Sequence, residues 1–246
     1  SKKDSEELMA ELEYVDAQAN INPPPRSIRD ENLSLADTMS RYPDYSRTVC
    51  KSLFLMDHFK INPELVEAVI NCIVESKNDG FPQHGSILIF LPGLNEIQAV
   101  YDYLRDIKNF TKNFILIPLH SSLSSEEQGL IFKKFSEKRK IILATNIAET
   151  SITIEDCTFV IDYGQLKEKR FDNNRNMESL ETVWVSRANA AQRRGRAGRV
   201  TKGICFHLFT KHRHDNHLLP QPIPEIHRIP LEQVGNLRFF FWKLEI

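Results

Sequence analysis

The residues with most chemistry to offer lie in one short run. Gln192-Arg193-Arg194-Gly195-Arg196-Ala197-Gly198-Arg199 sets a glutamine and several arginines around two glycines. Polyphosphate recognition needs guanidinium groups with bidentate donors, and glycine lets the backbone approach closely. A glutamine beside a terminal phosphate orients an attacking water, and an arginine stabilises the charge of the transition state. Read by itself, the run fits a solvated basic helix end or a nuclear-localisation patch equally well. A second run, Ala144-Thr145-Asn146-Ile147-Ala148-Glu149-Thr150-Ser151-Ile152-Thr153-Ile154, directly follows an apolar stretch of strand length. In open α/β sheets that position is the carboxyl edge, where phosphate-sensing loops sit. Small hydroxyl and amide side chains bind phosphate oxygens there, although Thr and Asn are also ordinary capping residues.

Positioning these runs requires a sheet. Ser86–Leu91, Phe114–Leu119, Lys140–Ala144, Thr158–Ile161 and Gly203–Leu208 are short runs rich in Ile, Val, Leu or Phe. Helical patterns lie between several of them, at Asn95–Leu104, Ser125–Phe135 and Arg187–Arg194. Continuous apolar strands separated by helices predict an α/β fold, a parallel sheet with helices on both faces. Upstream, the apolar spacing from Tyr45 to Val74 predicts two helices broken near Ile61, with Asn62 as N-cap and Pro63 at the first helical position. Residues 1–45 carry ten acids and five bases and include Pro23-Pro24-Pro25. They read as an acidic linker or insertion, partly disordered, with too little apolar surface to offset the entropy of ordering. The 246-residue chain is 41% hydrophobic and 26% charged, which excludes collagen-like and low-complexity classes. No apolar run reaches membrane-span length, and the polar start does not read as a signal peptide. Cys50, Cys72, Cys157 and Cys205 have no close spacing, so a reduced, cytoplasmic or nuclear setting is expected rather than a disulfide framework or thiolate zinc site.

Together the two chemical runs resemble motifs V and VI of superfamily 2 helicases, in the form of the DEAH/RHA branch. Ile87–Gly93 (ILIFLPG) is similar to that family's motif IV and Leu119–Leu123 (LHSSL) to its motif IVa. The texture is nearest the branch of DEAH-box protein fifty-seven. The resemblance implies a second RecA-like domain over residues 46–225, with 226–246 a truncated or divergent start of a winged-helix region. It implies that Gln192, Arg196 and Arg199 are catalytic, Gln192 positioning water and the arginines acting as fingers. Ser151 resembles the sensor of the terminal phosphate, Thr153 and Glu155 would lie near ribose and phosphates, and Phe132 matches the aromatic that stacks on adenine. Core packing with Leu130 and Phe135 is the other reading of Phe132. Ser121, Ser122, Thr145 and Asn146 match positions that touch the backbone of single-stranded RNA, without reading sequence.

ATP and Mg2+ are the implied cofactors, with the magnesium ligands in a first RecA-like domain. No GxxxxGK[ST] loop and no Asp-Glu-x-His box occurs in these 246 residues. Half an ATP-dependent helicase moving 3′ to 5′ on RNA is one reading; a non-catalytic nucleotide- or RNA-binding module of the same ancestry is the other. The expected partners are the first RecA-like domain and the winged-helix region, with no membrane. His212, His214 and His217 invite a metal, but H-x-H-x-x-H without a thiolate is more often a solvated loop, and no metal site is expected. The tail departs from the family pattern after Gln233, ending in FFFWKLEI.

Overall fold

The computed structural model describes residues 23–76, 80–121, 129–133, 135, 137–172, 177–199, 202–225 and 228. In chain order its elements are α1 (Leu35–Arg41), α2 (Arg47–Leu55), α3 (Pro63–Glu75), β1 (Ser86–Phe90), α4 (Leu94–Asp106), α5 (Phe110–Asn113), β2 (Phe114–Leu119) and β3 (Arg139–Ala144). There follow α6 (Ile147–Thr150), β4 (Cys157–Asp162), β5 (Gln165–Asp172), β6 (Met177–Trp184), α7 (Arg187–Arg194), β7 (Ile204–His207) and α8 (Lys211–Asn216). Among the described residues, no helix is long and apolar enough to cross a membrane.

Five strands form a parallel sheet in the order β2-β3-β1-β4-β7. This is the RecA-like α/β arrangement expected from the alternation of apolar runs and helices. β1 lies at its centre, Leu88 opposite Ile142 of β3 and Val160 of β4. All five residues of β1 are buried, including Ser86, which explains why SILIF is apolar almost without interruption. One core cluster gathers Leu88, Phe90, Ile117, Leu119, Ile142 and Val160 from four strands, with Ala148 of α6 and Ile154 beside them. The entry to α3 follows the sequence: Asn62 Oδ1 accepts the Leu65 N–H at 3.2 Å and Pro63 opens the helix.

The sequence reading omitted the antiparallel pair β5–β6, which runs in register from Gln165 opposite Trp184 to Asp172 opposite Met177. The helix expected over Ser125–Phe135 falls largely outside the described residues. Its described part is a 3-10 turn, Leu130–Phe132, in which Ile131 is buried. Of the region expected from 226 to 246, all but residue 228, the aromatic tail included, also lies outside them.

The described residues divide into two compact units. The sheet belongs to one, Asn62–Leu208 with residues 219–225 and 228. The other comprises residues 23–61 with Phe209–Leu218. Within the segment expected as an acidic linker or insertion, residues 23–45 include a capped helix. Ser34 caps α1 by accepting the Asp37 N–H at 3.1 Å, and Asp30 is buried. Burial pushes the Asp30 carboxyl up, but hydrogen bonds from Thr210, Arg41 and Tyr42 outweigh it and hold the group below its ordinary range. The histidine-rich segment expected as a solvated loop is helix α8, whose buried Arg213 pairs with Glu31. Two buried ion pairs therefore order a segment that its composition marks as polar.

Candidate functional site

The carboxyl edge of the sheet collects the two chemical runs. β3 ends at Ala144, and the chain turns at once into α6, whose Glu149 N–H bonds to the Asn146 carbonyl at 2.9 Å. Opposite it stands α7, capped by Ser186, whose hydroxyl accepts the Asn189 N–H at 3.1 Å. One side chain ties the two together. Arg193 is 0% exposed; its Nε donates to Glu149 at 2.7 Å and its Nη1 to Asp162 at 2.8 Å and to the Gln165 carbonyl at 3.1 Å. Its guanidinium carbon lies 4.8 Å from the centre of the Phe90 ring. Asn189 adds a second bond to Glu149 at 2.9 Å. Burial raises the Asp162 carboxyl pKa, but the charge of Arg193 and hydrogen bonds from His207, Arg193 and the Gly164 N–H hold it below the usual range.

Past Gly195 the chain must double back, and it does so through Gly198 at φ +77°. The Gly198 N–H reaches the Cys157 carbonyl at 3.0 Å, and a Cβ on Gly203 would lie 2.4 Å from the Gly198 nitrogen. Two glycines at a left-handed turn and a backbone crossing are therefore steric requirements. The turn delivers two arginines to the loop after α6. Arg196 Nη1 donates to the Ile152 carbonyl at 3.1 Å, and Arg199 Nη1 to the Thr153 hydroxyl at 3.1 Å. Among the described residues neither arginine has a carboxylate within ion-pair distance. Burial, then the like charge of Arg199, lowers the pKa of the Arg196 guanidinium. Gln192, Ser151, Thr153, Glu155 and Arg199 are exposed and Arg196 is half-buried. Two guanidinium groups beside a loop of hydroxyls and backbone have the chemistry to receive an anion.

A second group opens on the same edge. Ser121, Thr145 and Asn146 line an open hollow of about 400 Å3 with Gly93, His120 and Lys167. Ser121 and Asn146 are exposed, whereas Thr145 is buried and presents only an edge. Lys167 of β5 bonds to Glu96 of α4 at 2.9 Å across Gly93, where a Cβ would lie 2.9 Å from the lysine side chain. Ser122 lies outside the described residues. Phe132 is 64% exposed and its neighbour Ile131 takes the core position, so core packing does not account for the phenylalanine. Among the described residues, no group of three or more His, Cys, Asp or Glu is placed to hold a metal ion.

Sequence reasoning left Arg193 open between surface charge and an ion-pair partner, because a buried arginine in a basic run is spelled like an exposed one. The available signal was Asp162, a carboxylate at the end of a buried apolar strand, which requires a cation. Lys167 and Glu96 carried no signal.

The chain matches the helicase conserved C-terminal domain over residues 65–201. It is 49% identical over 213 residues to DHX57 of Homo sapiens, covering 85% of this chain and 15% of that protein. To the ATP-dependent DNA/RNA helicase DHX36 of Rattus norvegicus it is 44% identical over 211 residues, covering 81% of this chain and 20% of the relative. The crystal structure of the E. coli DExH-box NTPase HrpB aligns with TM-score 0.63 and 35% identity, over 73% of this chain and 21% of that one. The chain thus spans only about a fifth of its relatives' length, or less. With the matched domain filling more than half of its residues and the DEAH/RHA motifs in order along the sheet edge, the chain belongs to the helicase conserved C-terminal domain family, in the DEAH/RHA branch.

Proposed function

We propose that this chain is the second RecA-like half of an ATP-dependent RNA helicase. The observation that carries the reading is the pair Arg196 and Arg199, held against Ile152 and Thr153 with no carboxylate partner among the described residues. Such a pair is an incomplete phosphate site that a nucleotide bound on an apposed domain would complete. In this reading Gln192 positions the attacking water, and both arginines stabilise charge developing on the transferred phosphoryl group. Ser151, at the start of the loop they grip, senses the terminal phosphate. Thr153 and Glu155 lie toward ribose and phosphates, and the exposed Phe132 stacks on adenine. In the same reading, Mg2+ is held by ligands of the first RecA-like half, as the family resemblance implies. Ser121, Thr145 and Asn146, with Ser122, bind the backbone of single-stranded RNA independently of sequence, because hydroxyl and amide contacts to phosphate carry no base information. The name of DHX36 includes DNA, so both nucleic acids belong in any binding test.

Two outcomes are expected. The isolated chain should hydrolyse no ATP above background, while the same chain joined to its first RecA-like half should show turnover stimulated by single-stranded RNA. Turnover of the isolated chain that survives stringent removal of contaminants would overturn the reading. In the joined protein, Ser151→Ala should weaken unwinding more than hydrolysis. Loss of hydrolysis with unwinding per ATP unchanged would remove the sensor role.

A further inference from the structure

The hollow at the carboxyl edge contains a charge to which the proposed function gives no task. Its candidates for RNA-backbone contact, Ser121, Thr145 and Asn146, are all neutral. Lys167 of β5 lines the same hollow, and among the described residues no other lysine or arginine and no aspartate or glutamate does so. Affinity for a phosphate backbone comes chiefly from cations, because each one bound releases counterions from the strand. Hydroxyl and amide contacts orient a strand but release none.

The lysine is fitted closely into its place. Lys167 Nζ donates to Glu96 Oε2 of α4 at 2.9 Å, and the pair crosses Gly93. The backbone at Gly93 is extended, φ −164°, which any residue adopts. Space is what requires glycine: a Cβ would lie 2.9 Å from both Cδ and Nζ of Lys167 and 3.0 Å from Glu96 Oε2. The last residue of the ILIFLPG run therefore leaves room for the lysine. An ammonium has three donors, and among the described residues Glu96 takes one of them. The lysine and glutamate side chains are 21% and 26% exposed, so water competes with the pair and it contributes little to stability. Glu96 also lies in the first turn of α4, where the helix dipole favours a carboxylate with or without the lysine. An anion that takes Lys167 from it strands neither charge.

We propose that Lys167 is a phosphate-binding residue of this hollow and Glu96 its exchangeable counter-ion. A backbone phosphate of single-stranded RNA takes the ammonium, and Glu96 is released to water. The proposal rests on the reading of Ser121, Thr145 and Asn146 as backbone contacts, and adds the cation which that reading lacks. A compact ammonium suits phosphate oxygens as a point charge and needs no planar fork. Successive phosphates of one strand engage the ammonium together with the exposed Ser121 and Asn146, which a lone carboxylate does not.

The test uses the chain joined to its first RecA-like half and a fluorescein-labelled single-stranded oligoribonucleotide, read by anisotropy over a series of salt concentrations. Lys167→Met should weaken binding several-fold. It should also flatten the slope of log affinity against log salt by about 0.7, the loss of one phosphate contact to a single strand. The RNA concentration for half-maximal ATPase stimulation should rise, with kcat at saturation little changed. Glu96→Gln should move affinity the other way, tightening it several-fold, and should do nothing when Lys167 is already methionine. That variant keeps the proposal open to test if Lys167→Met does not fold. Asn146→Ala reports on the RNA reading itself. If it weakens binding while Lys167→Met leaves affinity and salt slope unchanged, the proposal falls and the RNA reading stands. If neither variant alters RNA binding, the hollow is not an RNA site and both fall. An equal gain from Glu96→Gln with and without Lys167 would show an acid acting at a distance, and the counter-ion role would be lost. Tighter binding of a labelled polyglutamate peptide than of the RNA, abolished by Lys167→Met, would assign the lysine to an acidic protein segment and overturn the proposal.

Discussion

Replacing Arg193 by methionine is expected to destabilise the sheet unit by about 3–5 kcal/mol, the range for breaking a buried ion pair from one side. For a chain of this size that lowers the melting temperature by roughly 10 °C. The magnitude follows from what is left behind. Methionine fills much of the volume over Phe90, but Glu149 and Asp162 both lose their cation inside the protein. Arg193→Met combined with Asp162→Asn should cost less than the sum of the two, because the second change removes one stranded charge. The pH dependence gives an independent check. In the parent chain the Asp162 carboxyl is held below its ordinary range, so its contribution is complete above the unfolded pKa of about 4 and fades as pH falls through the folded value. Without Arg193 the same buried carboxyl is pushed upward, so the folded variant takes up protons more readily than the unfolded chain. Its deficit relative to the parent should therefore shrink as pH is lowered from 7 toward 4. A gap in denaturant midpoint that does not change with pH would show that lost packing, not stranded charge, sets the cost.

The same residue marks the limit of what the sequence could reveal. The parallel sheet was legible because burial on both faces forces unbroken apolar runs, as in Ile87–Leu91 and Ile141–Ala144, and because capping residues such as Asn62 sit where helices must begin. The turn after α7 was legible because Gly198 and Gly203 meet a narrow steric demand. β5 and β6 were not. Lys167 lies opposite Thr182, Glu168 opposite Glu181, Lys169 opposite Leu180 and Arg170 opposite Ser179, so the middle of the pair is mostly polar and leaves no sustained apolar period to read. The remaining hint was length: the gap from Ile161 to Arg187 is too long for a plain loop. Asp30, Glu31, Arg41 and Arg213 failed for a related reason. Their pairings span up to 182 positions, and a polar segment that orders through distant ion pairs has the composition of a linker. In each case the missing information was a partner, not a propensity.

Alanine at Arg199 should act in the opposite way to methionine at Arg193. Under the proposed function, in the chain joined to its first RecA-like half, Arg199→Ala is expected to lower kcat on the order of 10³-fold, the scale of losing an arginine finger, with little change in RNA affinity. Arg199 is exposed and, among the described residues, bonds the Thr153 hydroxyl, so its removal should change folding stability by no more than about 0.5 kcal/mol. Arg196→Ala should cost as much in turnover but somewhat more in stability, because Arg196 is half-buried and bonds the Ile152 carbonyl. Thr153→Val separates posture from charge: it frees Arg199 without removing it, and should produce a smaller loss of kcat than either alanine. Arg199→Lys should recover little, because an ammonium keeps the charge but not the planar fork that holds a phosphoryl group. Steady-state ATPase assays with saturating RNA, alongside RNA binding by anisotropy, distinguish the outcomes. If RNA affinity and kcat fall together at Arg199, the arginine contacts the nucleic-acid backbone. If kcat stands unchanged while Arg193→Met abolishes it, the anion site between motifs V and VI serves only to hold the two loops together.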